Sequence, residues 1–274
     1  MLNSLFEFNR EPLAALDDGR LSGKQGVAVL SHPRSGTHLT IDLLRRNFPI
    51  LSPPKPLLAP LGALYVSLDA VLIEGSDAPS VRRCVYGLSY HAIPIIKTHW
   101  VDPDLGNLAE RSKALARWFD EKTIKLYIIR NPVNVFLSLH VFEREIGTVG
   151  SDRLDWLDRK SAYWARHVDS WCQRDDVMVI RFEDLIADAR KYVDDIGARN
   201  PELRAAPHDP ALPPPTRSLT HNRLQRLSRY PQSTEILSLK TPERFSVLFS
   251  EEERAAFRKN TEATCKRFGY LVGN

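Results

Sequence analysis

The stretch VAVLSHPRSGTHLTIDLLRRNF constrains the fold more than any other part of this chain. The apolar run at 27–30 reads as a buried strand, the following Pro33-Arg34-Ser35-Gly36 as a turn, and the residues from about Thr37 onward as a helix. Strand, loop and helix in immediate succession leave unpaired backbone N–H groups at a helix N-terminus, where the helix dipole adds partial positive charge. That is the geometry of an anion cradle. Gly36 permits close approach of the backbone, Ser35 and Thr37 add hydroxyls, and Arg34 adds a planar fork for phosphate or sulfate oxygens. The plain alternative for the same residues is a capped turn with Arg34 in solvent.

Three further short runs, at 93–97, 125–130 and 177–180, are compact, apolar and bounded by polar or turn residues. Longer helical stretches separate them, the pattern of parallel strands joined by crossover helices. The expectation is a single α/β domain with a central, mostly parallel sheet of at least four strands, flanked by helices and carrying a P-loop-like strand-loop-helix. Asn131 followed by Pro132 reads as an N-cap with proline at the first helical position, opening a helix to about Glu143. Ser250 with Glu253 three residues on makes a capping box for a C-terminal helix that ends at Gly269. A chain of 274 residues, 43% hydrophobic, is long enough to bury one large core. Residues 25–190 would form the core with the anion cradle, 200–245 a proline-rich and basic connection or lid, and 250–270 the last helix.

Composition limits the partners. A formal charge of +4 suits a phosphate-rich small ligand and does not call for nucleic acid, and no block of Lys and Arg stands out. No apolar run approaches the roughly 20 residues that span a bilayer, and residues 1–20 lack the pattern of a secretory signal. The three cysteines, Cys84, Cys172 and Cys265, stand far apart with no pair at metal-ligand or disulfide-framework spacing. A cytoplasmic protein with reduced thiols, no metal and no membrane partner is expected. Oligomeric state is not legible, a homodimer being one option.

Two more groups collect where ligands of open parallel sheets bind, beyond the carboxyl ends of the strands. The run Ile95-Ile96-Lys97-Thr98-His99 delivers a lysine and then a histidine, a side chain that titrates near neutrality and can take a proton from an attacking hydroxyl. Arg130 ends another strand run, and Ser138 follows about two helical turns after Asn131. Taken singly, each has an ordinary reading: a histidine satisfied in a polar rim, an arginine in a surface ion pair.

Taken together, PRSGTH at 33–38, KTH at 97–99 and RNPVNVFLS at 130–138 resemble, in this order, the motifs of the sulfotransferases that use 3′-phosphoadenosine 5′-phosphosulfate (PAPS). IRFEDL at 180–185 is similar to the strand end that follows them in that family, and Phe268-Gly269-Tyr270 is a looser echo. The resemblance covers roughly residues 25–190. It implies PAPS as sulfuryl donor, 3′-phosphoadenosine 5′-phosphate (PAP) as product, a small-molecule acceptor and His99 as the base. It further implies that Arg34 stabilises charge on the leaving 5′-phosphate and that Lys97 holds sulfuryl oxygens. Backbone donors of Ser35, Gly36, Thr37 and His38 would bind the 5′-phosphate, Arg130 and Ser138 the 3′-phosphate, and Phe182 the adenine. The chain departs from the family pattern at Arg34, where many members have lysine, at His38, where they have threonine, and at Leu39, where they have an adenine-stacking tryptophan. The late RKG-type loop is absent, although Arg217, Arg223, Arg226 and Arg229 place charge in that region.

Two other classes share parts of this pattern. A P-loop kinase would share the cradle, but G-x-x-x-x-G-K-[ST] is missing and Arg130 stands where a magnesium-binding aspartate is expected. A non-catalytic nucleotide-binding module would need the cradle and not His99. Trp118, Trp156, Trp164 and Trp171 read as core packing, and His91, His140, His167, His208 and His221 show no zinc spacing. His32 reads as a packing residue or a ligand contact.

Overall fold

A computed structural model describes residues 12–17, 19, 21–52, 65–102, 106–150, 152–207, 212 and 242–271. In chain order the elements are α1 (Ala14–Asp17), β1 (Gly26–Ser31), α2 (Thr37–Asn47), β2 (Val66–Ser67), α3 (Leu68–Ile73), α4 (Pro79–Tyr90) and β3 (Ile95–Thr98). They continue with α5 (Asn107–Arg111), α6 (Lys113–Lys122), β4 (Thr123–Ile129), α7 (Pro132–Glu145) and α8 (Arg153–Cys172). The last are β5 (Val177–Arg181), α9 (Phe182–Ala187), α10 (Ala189–Arg199), α11 (Pro242–Leu248) and α12 (Glu251–Phe268).

The strands form one five-stranded parallel sheet in the order β2-β3-β1-β4-β5, within a single α/β domain. The period of two along each strand divides the apolar side chains between two cores. Ala28, Leu30, Ile96, Tyr127 and Ile129 face one side with Leu88, Phe136, Trp164 and Phe257, while Val27, Val29, Ile95, Leu126 and Ile128 face the other with Ile41, Leu44, Val193 and Ile196. Because β1 lies in the middle and all strands run the same way, their carboxyl ends bring 32–36, 99–100, 130–131 and 181–182 to one edge.

Local chemistry sets the boundaries. The Asn131 side chain accepts from the Val133 amide at 2.9 Å and Pro132 occupies the first turn, so α7 begins where the sequence places it. The Ser250–Glu253 capping box is present with both bonds, and Glu253 also takes a bidentate grip from Arg153. The helix stops at Gly269, whose φ of 67° closes a left-handed cap. Trp118, Trp156, Trp164 and Trp171 are all buried, as their spacing suggests. Strand β2 has only two residues, too few to show a period.

Cys84, Cys172 and Cys265 are free thiols. Among the described residues, no helix is long and apolar enough to cross a membrane. Most of the proline-rich stretches at 52–60 and 201–215 lie outside the described residues, as do His208, His221 and the arginines at 217, 223, 226 and 229.

Candidate functional site

The loop between β1 and α2 is built for a short, tight reversal. Gly36 has φ 107°, a conformation that L side chains resist, and Arg34 adopts φ 69°. A Cβ at Gly36 would fall 2.6 Å from Cε2 of Phe182 and closer still to its Cδ2, so the ring of Phe182 lies directly on the glycine. No side chain caps α2, because Gly36 has none and the Thr37 hydroxyl is instead paired with the Ser31 hydroxyl at 2.6 Å. The amides of the first turn are thereby left to a ligand or to water. Ser35 is 1% exposed, and its hydroxyl has no hydrogen-bond partner among the described residues.

Arg34, Arg130, Ser138 and Phe182 form one group beside this loop. The Arg34 Nε–H donates to the Ser138 hydroxyl at 2.9 Å, and Arg34 lies 5.1 Å from the Phe142 ring centre. Arg130 donates from Nη1 to the Arg34 carbonyl at 3.1 Å and stacks over Phe182 at 4.5 Å, a cation–π arrangement. Its Nε is buried without a hydrogen-bond partner among the described residues. Burial lowers both guanidinium groups, Arg130 to about 10 with Glu183 opposing the fall and Arg34 adding to it. Both remain protonated at neutral pH, and each disfavours the other's charge. Two desolvated cations sharing one corner make that corner attractive to an anion by elementary electrostatics. The sequence places Arg34 with the 5′-phosphate; the structure rests it on Ser138.

His99 forms the second group, joined to the start of α2 through Ser31. Its Nδ1 lies 2.6 Å from the Ser31 carbonyl. A carbonyl only accepts, so Nδ1 carries the proton and Nε2 presents a lone pair. The His99 carbonyl accepts from the Tyr163 hydroxyl and from Nε2–H of His167, each at 3.1 Å, and Tyr127 donates to Nδ1 of His167 at 2.8 Å. The His99 amide donates to Oδ1 of Asp69 at 2.9 Å, the Thr98 hydroxyl to the same oxygen at 2.8 Å, and Lys97 Nζ lies 3.3 Å from Oδ2.

Three histidines crowd here. Burial first, then the Lys97 charge, lowers His99 to about 4, with Asp69 opposing. Burial lowers His167 to about 3 and holds His32 well below its ordinary value, and the neighbouring histidines add to both effects. All three are neutral at physiological pH, the state a proton acceptor needs.

Phe182 is 6% exposed and packs against Gly36 and Arg130. His38 packs edge-on against Tyr65 at 5.5 Å, and Leu39 is buried in the core. His32 is buried, its Nδ1–H on the Pro33 carbonyl at 2.9 Å and its ring between Tyr163, His167 and Phe136. Glu183, of the IRFEDL stretch, accepts from the Asn131 amide and from the Tyr270 hydroxyl, each at 2.9 Å, which ties the end of β4 to the chain's last described residues. Asp69, Tyr127, Tyr163 and His167 are missing from the sequence reading of the site. No motif marks them, since each reaches His99 through the fold.

The chain matches no protein-family model, and no curated protein matches it. Solved structures do. The mouse sulfotransferase SULT7A1 complexed with PAP aligns over 94% of this chain and 90% of its own, with 15% identity and a TM-score of 0.52. A retinol dehydratase in a complex with retinol and PAP aligns over 92% of this chain and 86% of its own, with 15% identity and a TM-score of 0.46. By the first of these alignments, this chain has the sulfotransferase fold.

Proposed function

We propose that this protein transfers a sulfuryl group from PAPS to a hydroxyl or amine of a small-molecule acceptor, with His99 as general base. A shared fold leaves the chemistry open, so the reading rests on the site. The observation that supports it is the His99 ring: Nδ1–H on the Ser31 carbonyl fixes the tautomer and leaves Nε2 as the unprotonated nitrogen, on a ring tied through Ser31 to the β1–α2 loop.

The donor brings the activated sulfuryl group; the chain's residues bind, orient and move one proton. First-turn amides of α2, with the Ser35 and Thr37 hydroxyls, would hold the 5′-phosphate. Arg130 and Ser138 would hold the 3′-phosphate that separates PAPS from ATP. Arg34, resting on Ser138 within reach of the same loop, lends charge to both. The unpartnered Ser35 hydroxyl and Arg130 Nε fit such an anion, since buried polar groups ordinarily have partners. His99 Nε2 takes the acceptor's proton as the new sulfur–oxygen or sulfur–nitrogen bond forms. The bond from sulfur to the 5′-phosphate oxygen breaks in line with it, and the leaving oxygen keeps the electron pair. The helix dipole and the arginines stabilise that charge as it develops.

Thermal unfolding with added nucleotide tests the donor. A ligand that binds only the native state raises Tm by mass action. PAP should raise Tm clearly at concentrations where AMP does not. A larger rise with ATP and magnesium would favour the kinase reading instead.

A further inference from the structure

One carboxylate gathers donors from three consecutive residues at the end of β3. Asp69 Oδ1 accepts from the Thr98 hydroxyl at 2.8 Å and the His99 amide at 2.9 Å, and Oδ2 faces the Lys97 ammonium at 3.3 Å. The register explains the meeting. Ser67 pairs with Lys97 in the parallel β2–β3 ladder, and the chain turns directly into α3, so Asp69 in its first turn starts beside the end of β3. Sheet pairing thus brings together residues thirty positions apart in sequence.

The setting makes this carboxylate more than a surface partner. The Asp69 and Lys97 side chains are 17% and 13% exposed, so each charge has lost most of its water and depends on the other. Burial alone would raise the Asp69 carboxyl. The protonated His99 ring at low pH, the Lys97 ammonium, and the bonds from the His99 amide and the Thr98 hydroxyl outweigh it and hold the group below its ordinary range, so it is ionised at neutral pH, where His99 itself is uncharged. The groups facing His99 are Lys97 on its own strand, Asp69 on α3, Arg34 and His32 on the loop, and His167 and Tyr163 on α8. Among these described residues, Asp69 carries the negative charge, and it contacts both the base and the lysine.

We propose that Asp69 is a positioning residue for sulfuryl transfer: one oxygen fixes the His99 backbone at the strand end, and the other holds the Lys97 ammonium toward the same site. The proposal rests on the reading of His99 as the base. Three anchors, made of four hydrogen bonds, then determine where Nε2 points: Ser31 at the ring, Tyr163 with His167 at the carbonyl, and Asp69 at the amide. The third of these also sets a charge. A base displaced by about 1 Å loses on the order of 100-fold in rate.

The test uses the full chain, with labelled PAPS and an acceptor that the wild type sulfates. Asp69→Asn keeps an oxygen for Thr98 and the His99 amide but turns an amide donor toward Lys97; Asp69→Ala removes both. The expected result is a kcat about 10-fold lower in Asp69→Asn and about 100-fold lower in Asp69→Ala, with KM for PAPS and PAP affinity within about twofold of wild type. Should Asp69→Ala not fold, the near-isosteric Asp69→Asn decides alone. Wild-type kcat in folded variants overturns the proposal. So does a joint fall of kcat, PAP affinity and Tm, which is the mark of a purely structural carboxylate. Loss of turnover in Asp69→Asn while His99→Ala retains it would make Asp69 the base and overturn the positioning role. A wild type that binds PAP but transfers no sulfuryl group fails the functional reading, an outcome distinct from an active wild type with indifferent Asp69 variants.

Discussion

The Nδ1–H of His99 donates to the carbonyl of Ser31 at 2.6 Å, and the hydroxyl of the same Ser31 pairs with Thr37 at the first turn of α2. One residue at the end of the central strand thus orients the His99 ring, the proposed base, with its backbone and the β1–α2 loop with its side chain. Ring and loop are held in register through a single α-carbon.

The contact between Gly36 and Phe182 gives the first prediction. Gly36→Ala meets both a left-handed backbone and the Phe182 ring, and it should lower stability by about 1–3 kcal/mol. Nucleotide affinity should fall with it, because the loop carries the amides. Adding Phe182→Ala to Gly36→Ala relieves the clash but not the backbone strain, so the double variant should regain less than the whole loss in urea unfolding. Wild-type stability in Gly36→Ala would contradict the loop geometry.

Arg130 and Ser138 give the second. Hydrogen bonds to charged groups contribute about 1.5–3 kcal/mol, so Arg130→Ala should weaken PAP by roughly 10- to 100-fold while leaving AMP binding little changed. Ser138→Ala should have a smaller effect in the same direction, read by calorimetry with the two nucleotides. An equal loss for both nucleotides would move Arg130 away from the 3′-phosphate.

The three depressed histidines of the site contribute to a stability profile, to which His140, also lowered by burial, adds. Below about pH 6.5 the unfolded chain takes up protons that native His32, His99 and His167 refuse, so the free energy of unfolding is fully present above that pH. It declines as pH falls toward the folded values, about 4 for His99 and about 3 for His167. Each such histidine adds about 1.4 kcal/mol per pH unit to the slope. Urea unfolding between pH 7.5 and 5.5 should show the decline, and His167→Gln should make it shallower by one proton's share. A flat profile would mean these rings are solvated.

Binding of the nucleotide should shift the base. An anion beside His99 favours its charged form and raises its pKa from the value near 4 in the free protein. The acidic limb of kcat should therefore lie at higher pH than the limb of kcat/KM for PAPS, since the first reports the bound state and the second the free enzyme. Coincident limbs would show that the donor does not alter the His99 environment.

Much of this architecture is visible in the chain itself, and the exceptions have physical causes. The β-branched runs, Asn131-Pro132 and the Ser250–Glu253 box are local patterns, so the sheet, α7 and α12 fall where they read. PRSGTH, KTH, Arg130 and Ser138 converge on one edge because each follows a strand that ends there. Asp69 is illegible: a two-residue strand carries it to His99, and β2 has no period to announce it. His167 and Tyr163 lie on the buried side of an amphipathic helix and look like packing until the His99 carbonyl is seen between them. Arg34 and Phe182 are visible as site residues, but their partners are not. The Arg34 guanidinium rests on Ser138, and the Phe182 ring packs against Gly36 and Arg130.

The central claim is tested most directly by following radiolabelled sulfuryl from PAPS into a panel of phenols, alcohols and amines, with wild type and His99→Ala side by side. Transfer by the wild type, falling by about 100- to 10,000-fold in His99→Ala while PAP affinity survives, is the predicted result. Tight PAP binding without transfer to any acceptor, or undiminished transfer by His99→Ala, would contradict it.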